Sequence, residues 1–561
     1  MKQFRTLATR PIGTPSAKLF SHKPVRGPMS APLLRPSATK REETRSSVDL
    51  AEASPLPSAA QSEHVDWRAT FPSFLFPAVG GLMFGYDIGA TSGVLASLTS
   101  PELSGTDWYD LNSVQTGLVV SLSLAGALAG SLIALGAGNK LGRKTELLAA
   151  SLFYGIAAII TATCDQLELM LFGRTLYGLG IGFAMHAAPA YIAETAPASV
   201  RGLLISCKEG AIVGGILLGY LVSYLVVDDV GGWRYILGTE LPLALILGAG
   251  MASLPESPRW LLLSGRSAGE AGDALRRVQG SRLASDDAIE AEVQSMMTGV
   301  QRAGAADSAE ALEQAPLMGE GASDRAGRSL EGQPSGSGGA SGIVALFTDR
   351  RYRRPLWVGL SLMLFQQITG QPSVLYYSTQ IFRNAGFAAG KEAAGVSLLL
   401  GFFKLGATLV AVASVEKLGR RPLLLGGVSA MVVSLLSLGA AQDAATSGGT
   451  ASAWVCVVSL LLYVGAYQMS FGPISWLICG EVFPLQVRGQ AIAAATFVNF
   501  SSNFLVSLAL PSLQEGLGPA GTYYLFGAIG AVAVASIAAT VPETKGKTLE
   551  EIEAMWGTGR S

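Results

Sequence analysis

Seven ionisable side chains fall inside long apolar runs: Asp87, Arg174, His186, Lys208, Glu209, Glu240 and Lys404. A charge in such surroundings is costly, and a residue that stays there is a candidate for function. Asp87 stands mid-run, where an unpaired carboxylate takes up a proton to become neutral. A second chemistry lies in the polar uncharged residues of the same runs. Gln366, Gln367, Asn499 and Asn503 are amides, and Tyr467 and Trp476 are aromatics beside them. Amides match hydroxyl groups as donors and acceptors, and a ring face suits C–H surface, so together these residues can hold a small hydroxylated solute. Amides in a membrane also serve as bonds between helices. His186 reads as packing.

These residues need membrane helices to hold them. Of 561 residues, 49% are apolar and only 14% charged, against about 25% charged in a typical soluble protein. The mean hydropathy is +0.40. Disordered, collagenous and disulfide-framework classes are excluded, and an ordinary soluble enzyme nearly so. The formal net charge of -1 gives no sign of a nucleic-acid partner. The four cysteines, Cys164, Cys207, Cys456 and Cys479, form no CxxC pair, so no metal framework is expected. Apolar stretches long enough to cross a bilayer lie near 71–96, 114–136, 146–163, 169–192, 203–227 and 235–254, then near 356–381, 394–415, 422–441, 452–479, 489–511 and 521–541.

Loops after the even-numbered runs are basic, with Lys140, Arg143, Lys144, Arg201, Arg259, Lys417, Arg420, Arg421 and Arg488. Loops after the odd-numbered runs carry Asp107, Asp165, Asp228, Asp443 and Glu515. Basic residues prefer the cytoplasmic side, which places both termini and the central loop there. Residues 1–66 form a Ser-, Pro- and Arg-rich tail, read either as an organellar transit peptide or as a solvated basic segment. The remaining boundaries are 67–263 for a first six-helix bundle, 264–350 for a partly disordered linker with short helices, 351–545 for a second bundle and 546–561 for a tail.

The two bundles repeat each other. Asn139-Lys-Leu-Gly-Arg143-Lys144 returns as Glu416-Lys-Leu-Gly-Arg420-Arg421. Glu194-x-x-Pro-x-x-x-Arg201-Gly returns as Glu481-x-x-Pro-x-x-x-Arg488-Gly, and Pro255-Glu256-Ser as Pro542-Glu543-Thr. Three matched motifs in one order indicate a duplicated unit, the plan of transporters with a site between their halves. Short glycine turns place Arg beside carboxylates of neighbouring helices. Such pairs form a gate that holds the helix ends together in one state and parts in the other; topology anchoring is the alternative.

The chain resembles the sugar porter family of the major facilitator superfamily. The resemblance rests on Gly80-Gly-Leu-Met-Phe-Gly-Tyr-Asp87, Gly173-Arg174, Pro255-Glu256-Ser-Pro-Arg259-Trp260, Gln366-Gln367-x-x-Gly370, Gly472-Pro473-x-x-Trp476 and Pro542-Glu543-Thr-Lys-Gly546, spread over roughly 70–545. Residues 365–377 carry a closer likeness to the plant vacuolar and plastid, xylose–proton symporter-like branch. The resemblance implies an all-α membrane protein of major facilitator fold, with 12 transmembrane helices in two pseudo-symmetric six-helix halves and cytoplasmic linker helices. It implies a monomeric carrier of a monosaccharide and a proton, working by alternating access in a lipid bilayer, without cofactor or metal and not an enzyme. A facilitative uniporter or exporter is the alternative, and a non-transporting sugar sensor a weaker one. A plastid envelope or vacuolar membrane is favoured, with plasma membrane open.

Residue by residue, the resemblance pairs Arg174 with Asp87 for proton coupling, assisted by Glu240. A guanidinium nearby favours the carboxylate and separation favours the acid, so the pair links proton binding to conformation; a static ion pair is the alternative. The resemblance assigns Gln366, Gln367, Trp476, Asn499 and Asn503 to sugar binding, with Phe84, Tyr376 and Tyr467 as pocket aromatics. Arg143, Glu194, Arg201, Glu256, Arg259, Lys404, Glu416, Arg420, Glu481, Arg488 and Glu543 are the expected gating and charge network. The chain departs from the family at Glu209, where a sugar-binding Gln is usual, at Lys404, where Asn is frequent, and at Pro372 and Asn139. The expectation for Glu209 and Lys404 is an ion pair near the sugar, with Lys208 as a rival partner.

Overall fold

A computed structural model describes residues 65–280, 285–313, 346–348, 350–387, 390–445, 450–483, 487–547 and 549–557. The tail before residue 65 and the glycine-rich part of the linker lie outside the described residues. The first half is built from α1 (Trp67–Leu98), α2 (Ser113–Leu141), α3 (Arg143–Thr163), α4 (Leu167–Thr195), α5 (Ala198–Val226), α6 (Gly232–Gly238) and α7 (Glu240–Ser253). Then come α8 (Pro258–Leu263), α9 (Ala268–Gln279) and α10 (Asp286–Glu313). The second half holds α11 (Arg350–Ile368), α12 (Gln371–Tyr376), α13 (Ser378–Asn384), α14 (Gly390–Leu418), α15 (Arg420–Ala445), α16 (Thr450–Met469), α17 (Phe471–Val482) and α18 (Arg488–Thr540), followed by α19 (Leu549–Gly557).

Twelve crossings result. Nine stretches among the described residues are long and apolar enough to span, and one of them, Arg488–Thr540, covers two runs. It is helical throughout except at Gly518, whose φ of 73° and ψ of 163° break it. The other two crossings are α1 and the broken series α11, α12 and α13. The breaks were not expected from the sequence. The sixth run divides at Thr239, the seventh at Gly370 and Tyr377, and the tenth at Ser470. Gly370 takes φ of 90°, a conformation that side chains rarely adopt.

Sequence fixes the helix ends locally. Asn112 and Gln115 cap α2 reciprocally, each side chain bonding the other's backbone N–H. Asp66 accepts from Arg68 N at the start of α1, and Ser267 caps α9. Gly142 (φ 87°) and Gly419 (φ 92°) make the turns between α2 and α3 and between α14 and α15. Small residues let helices approach closely, as where Gly126 of α2 meets Gly178 of α4. In the linker, Leu275 of α9 packs with Ile289 and Val293 of α10, which gives these helices a core of their own.

Candidate functional site

Three helices of the first half converge on Arg174. Its guanidinium pairs with Asp87 Oδ1. It also donates to Val119 O at 2.9 Å, Thr91 Oγ1 at 2.9 Å and Ser123 Oγ at 3.3 Å. Ser123 in turn donates to the second oxygen, Asp87 Oδ2, at 3.0 Å. Asp87 is fully buried and Arg174 nearly so. Both carboxylate oxygens are therefore occupied in this arrangement, and the charges cancel. Thr91, Ser123 and the Val119 carbonyl are partners of this ion pair that the sequence reading did not single out. Glu240 is buried at the break between α6 and α7, and its Oε1 has no hydrogen-bond partner. It makes no direct bond to Asp87 or Arg174, so the three expected coupling residues are two in contact and one apart.

The amides of the second half gather around the breaks. Gln366 Nε2 donates to Phe471 O at 2.8 Å, and Asn499 Nδ2 donates to Gln366 Oε1 at 2.7 Å. Gln366 thus ties α11, α17 and α18 together. Its neighbour Gln367 is also buried, but its Oε1 is unpartnered. Asn503 Oδ1 accepts from Ser507 within α18. The Tyr376 hydroxyl is buried and unpartnered. Tyr467 is buried, whereas Trp476 is 41% exposed and presents its ring. Phe84 of α1 lies 6.3 Å, ring to ring, from Phe500 of α18, so that one aromatic contact joins the halves.

The departures from the family do not pair as expected. Glu209 bonds Lys208 at 2.7 Å, and Lys404 Nζ donates to Gln468 Oε1 at 2.7 Å while lying 5.6 Å from the Tyr467 ring centre. The physical reason is reach: two long side chains bend toward each other from adjacent positions, and the Glu209 carboxylate stays 62% exposed rather than crossing to the other half. His186 is not plain packing, since its Nδ1 lies 2.7 Å from Glu146 Oε2.

The charge motifs form two near-identical sets. Arg143 pairs with Glu194 at 3.5 Å, and Arg420 with Glu481 at 3.0 Å. Glu256 accepts from the N–H groups of Lys144 and Ser257, each at 2.9 Å. Glu543 accepts from those of Arg420, Arg421 and Lys545 at 3.1, 3.0 and 2.9 Å. Each acid therefore closes the start of a helix that follows a positive-φ glycine. Arg201 and Arg488 each donate to a carbonyl five residues back, Ala196 O at 3.4 Å and Phe483 O at 3.1 Å. Arg259 is exposed, outside these sets. The Glu416 side chain lies outside the described residues.

The two capping acids differ in their response to pH. Burial is the largest influence on Glu256 and pushes its carboxyl up, with backbone N–H groups and Arg143 offsetting only part. Burial also pushes on Glu543, but its backbone N–H donors together outweigh it and hold the carboxyl below 4.5. The depressed group contributes stability above its unfolded value and loses it as pH falls through the folded one. The raised group has the opposite sign: its contribution is lost as pH rises through its folded value. On acidification Glu256 therefore takes up its proton first. Amide hydrogen exchange is expected to lose protection at Lys144 at a higher pH than at Arg420 and Arg421. Equal or reversed order contradicts this.

Comparison with known proteins follows the same lines. The family model described as "Sugar (and other) transporter" matches residues 74–319 and 323–556. The chain belongs to the sugar transporter family. The D-xylose-proton symporter-like 3, chloroplastic, of Arabidopsis thaliana is 47% identical over 492 residues, covering 88% of this chain and 83% of that protein. The glucose transporter GlcP of Staphylococcus epidermidis is 32% identical, covering 86% and 96%. Among solved structures, the inward open conformation of the xylose transporter XylE from E. coli superimposes with a TM-score of 0.66 at 28% identity, covering 87% and 99%. XylE bound to 6-bromo-6-deoxy-D-glucose gives 0.62 at 29% identity, covering 87% and 98%. The expected fold and family are borne out: this is an integral, multi-pass sugar transporter and not an enzyme.

Among the described residues, the hydrogen bonds that cross between the transporter's halves lie toward one end. Ser92 of α1 bonds Ser378 Oγ at 2.9 Å and Thr379 Oγ1 at 2.7 Å, and accepts from Thr379 N at 2.9 Å. Ser397 of α14 completes this hydroxyl cluster. Arg383 donates to Ala96 O at 2.9 Å, Tyr220 to Leu375 O at 2.9 Å, and Ser113 to Glu515. At the opposite end, where the glycine turns lie, the ion pairs stay within their own half.

Proposed function

We propose that this transporter carries a monosaccharide, a hexose or pentose such as glucose or xylose, together with a proton by alternating access between its halves. The supporting observation is the fully buried Asp87 with a cation and two hydroxyls on hand. Protonation neutralises Asp87, removes its hold on Arg174 and leaves that guanidinium to Thr91, Ser123 and the Val119 carbonyl. The charge state of one carboxylate thus changes the bonding among α1, α2 and α4. Glu240, buried beside the pair's helices, assists as a neighbouring carboxyl. The sugar sits between the halves, with Gln366, Gln367, Asn499 and Asn503 toward its hydroxyls and Trp476, Tyr467, Tyr376 and Phe84 toward its C–H faces. Glu209 adds an acceptor from the first half. The halves, 67–263 and 351–545, move as units, with the paired Arg–Glu sets at their ends as the gate.

The test is uptake of glucose and xylose in proteoliposomes with and without an imposed pH gradient. Accumulation that collapses on adding a protonophore supports the proposal. Equilibration that ignores the gradient assigns the protein to facilitated transport. The name of the Arabidopsis relative and the basic segment before residue 67 support an organellar membrane, plastid envelope or vacuole, with the glycine turns facing the cytoplasm and the monomer as the working unit. A fluorescent fusion lacking residues 1–66 is expected to lose that address; an unchanged address removes the targeting role of the tail.

Gln366 and Gln367 separate structure from binding. Gln366 is already satisfied by protein partners, whereas Gln367 keeps a free buried acceptor. Gln367→Ala is expected to weaken sugar binding about tenfold, one hydrogen bond of about 1.4 kcal/mol, with thermal stability near that of the parent. Gln366→Ala is expected to lower stability as well, because three helices lose their common bond. Sugar titration and thermal unfolding on both variants check the contrast.

A further inference from the structure

Glu146 has no part in the site described above, yet it is a fully buried carboxylate in the first turn of α3. Its Oε2 bonds His186 of α4 at 2.7 Å, and its Oε1 has no partner. His186 is 31% exposed, so the pair has one face open at the surface of the helix bundle. A side chain at Gly138 of α2 would come within 2.7 Å of Glu146 Oε1 and 2.8 Å of His186 Cε1. The carbonyl of that same Gly138 accepts from Arg143 Nη1 at 3.2 Å. The pair thus abuts the arginine that forms the first-half gate.

Arg143 lies between two acids. It meets Glu194 at 3.5 Å, and Glu146 stands three residues on, a spacing that shares one helix face. Arg143 Nε and Glu146 Oε1 are both buried and both unpartnered. The duplicated half supplies an internal control. The positions matching Glu146 and His186 there are Leu423 and Pro473, which titrate nothing, and the Arg420–Glu481 pair is tighter, at 3.0 Å.

We infer that Glu146 and His186 form a second proton-binding site, whose occupancy decides how firmly Arg143 is held by Glu194. When the imidazole carries a proton, it answers the Glu146 charge and leaves Arg143 to Glu194. When it is neutral, Glu146 is a buried carboxylate with a spare oxygen and draws Arg143 toward itself. Lower pH on the glycine-turn side therefore tightens the first-half gate and leaves the second-half gate unaffected. The other charged groups nearby are committed elsewhere. Lys144 is spent on the carbonyls of Ala252 and Leu254, and Glu256 on backbone N–H groups. Lys140 of α2 is exposed. From α1, Gly80 faces Leu147 and Ala184, and α7 presents Leu247 and Met251 to this core.

The site bears on transport only if the proposed function holds, so its test has two arms. In proteoliposomes without a gradient, labelled-sugar exchange is measured from about pH 5 to 8, where histidine changes charge. The parent is expected to show a severalfold pH-dependent component that Glu146→Gln and His186→Gln both remove, the first holding exchange at the parent's low-pH level and the second at its high-pH level, while gradient-driven accumulation persists in both. Profiles unchanged by either substitution overturn the inference, and so does loss of accumulation in both. The second arm needs no transport. The sequence holds three histidines, His22, His64 and His186. With the first two replaced by Gln, the imidazole signals of His186 are followed by nitrogen NMR. Signals that move with pH in this range, and move differently in Glu146→Gln, support the site; signals constant throughout overturn it. A parent that carries no sugar in the first arm instead defeats the proposed function, and the second arm still decides this one.

Discussion

Replacing Asp87 with Asn is expected to leave a transporter that equilibrates sugar across the membrane but no longer concentrates it. An amide keeps one oxygen for Arg174 and Ser123, so the fold survives, but it binds no proton at any working pH. For one proton per sugar, a gradient of about 1 pH unit supports about tenfold accumulation, since that unit is worth about 1.4 kcal/mol. Asp87→Asn should bring this ratio to about one while downhill exchange continues. Accumulation that survives the substitution would move coupling to another group, with buried Glu240 the next to test. The parallel variant Glu240→Gln is expected to reduce accumulation without abolishing it.

The largest effect on stability is expected from Arg174→Met. The guanidinium is buried and makes four contacts, to Asp87, Thr91, Ser123 and the Val119 carbonyl. Removing it leaves Asp87 without a cation, a loss of about 3–5 kcal/mol when one partner of a buried pair is taken away. The double variant Asp87→Asn with Arg174→Met should recover part of the loss, because neither charge is then left alone. Thermal unfolding in detergent distinguishes these outcomes. A single variant as stable as the parent would mean that the carboxylate is neutral in the resting protein.

Much of this architecture is legible in the sequence, and the parts that are not share a cause. Apolar runs announce the crossings because a bilayer demands them. The repeated Gly-Arg and Glu-x-x-Pro motifs announce the paired Arg143–Glu194 and Arg420–Glu481 contacts because chemistry and spacing recur together. Thr91 and Ser123 carry no comparable signal, since hydroxyl residues are common in these helices and only their placement around Arg174 makes them matter. The Val119 carbonyl has no side-chain identity to read at all. Glu209 and Lys404 mislead for a related reason. Opposite charges in two apolar helices invite pairing, but the sequence does not record how Lys208 bends or that Gln468 reaches Lys404. Gly370 is visible as a glycine, yet its left-handed backbone appears only in three dimensions. Glu146 and His186 stand 40 residues apart, the first too near a charged turn to look intramembrane and the second isolated.

The bonds that join the two halves are made of hydroxyls, a tyrosine, backbone carbonyls and single charges, and among the described residues no ion pair crosses between the halves. Each such hydroxyl bond is exchanged for one to water when the halves separate, so parting them breaks no ion pair among the described residues. Ionic strength screens exposed charge pairs over about 8–10 Å in ordinary buffers. Salt on the bridged side should therefore leave the turnover rate nearly untouched. Salt on the side of the glycine turns reaches partly exposed arginine–carboxylate pairs and should alter it. The protein can in this sense operate between compartments of different ionic strength provided the saltier one faces the hydroxyl lock.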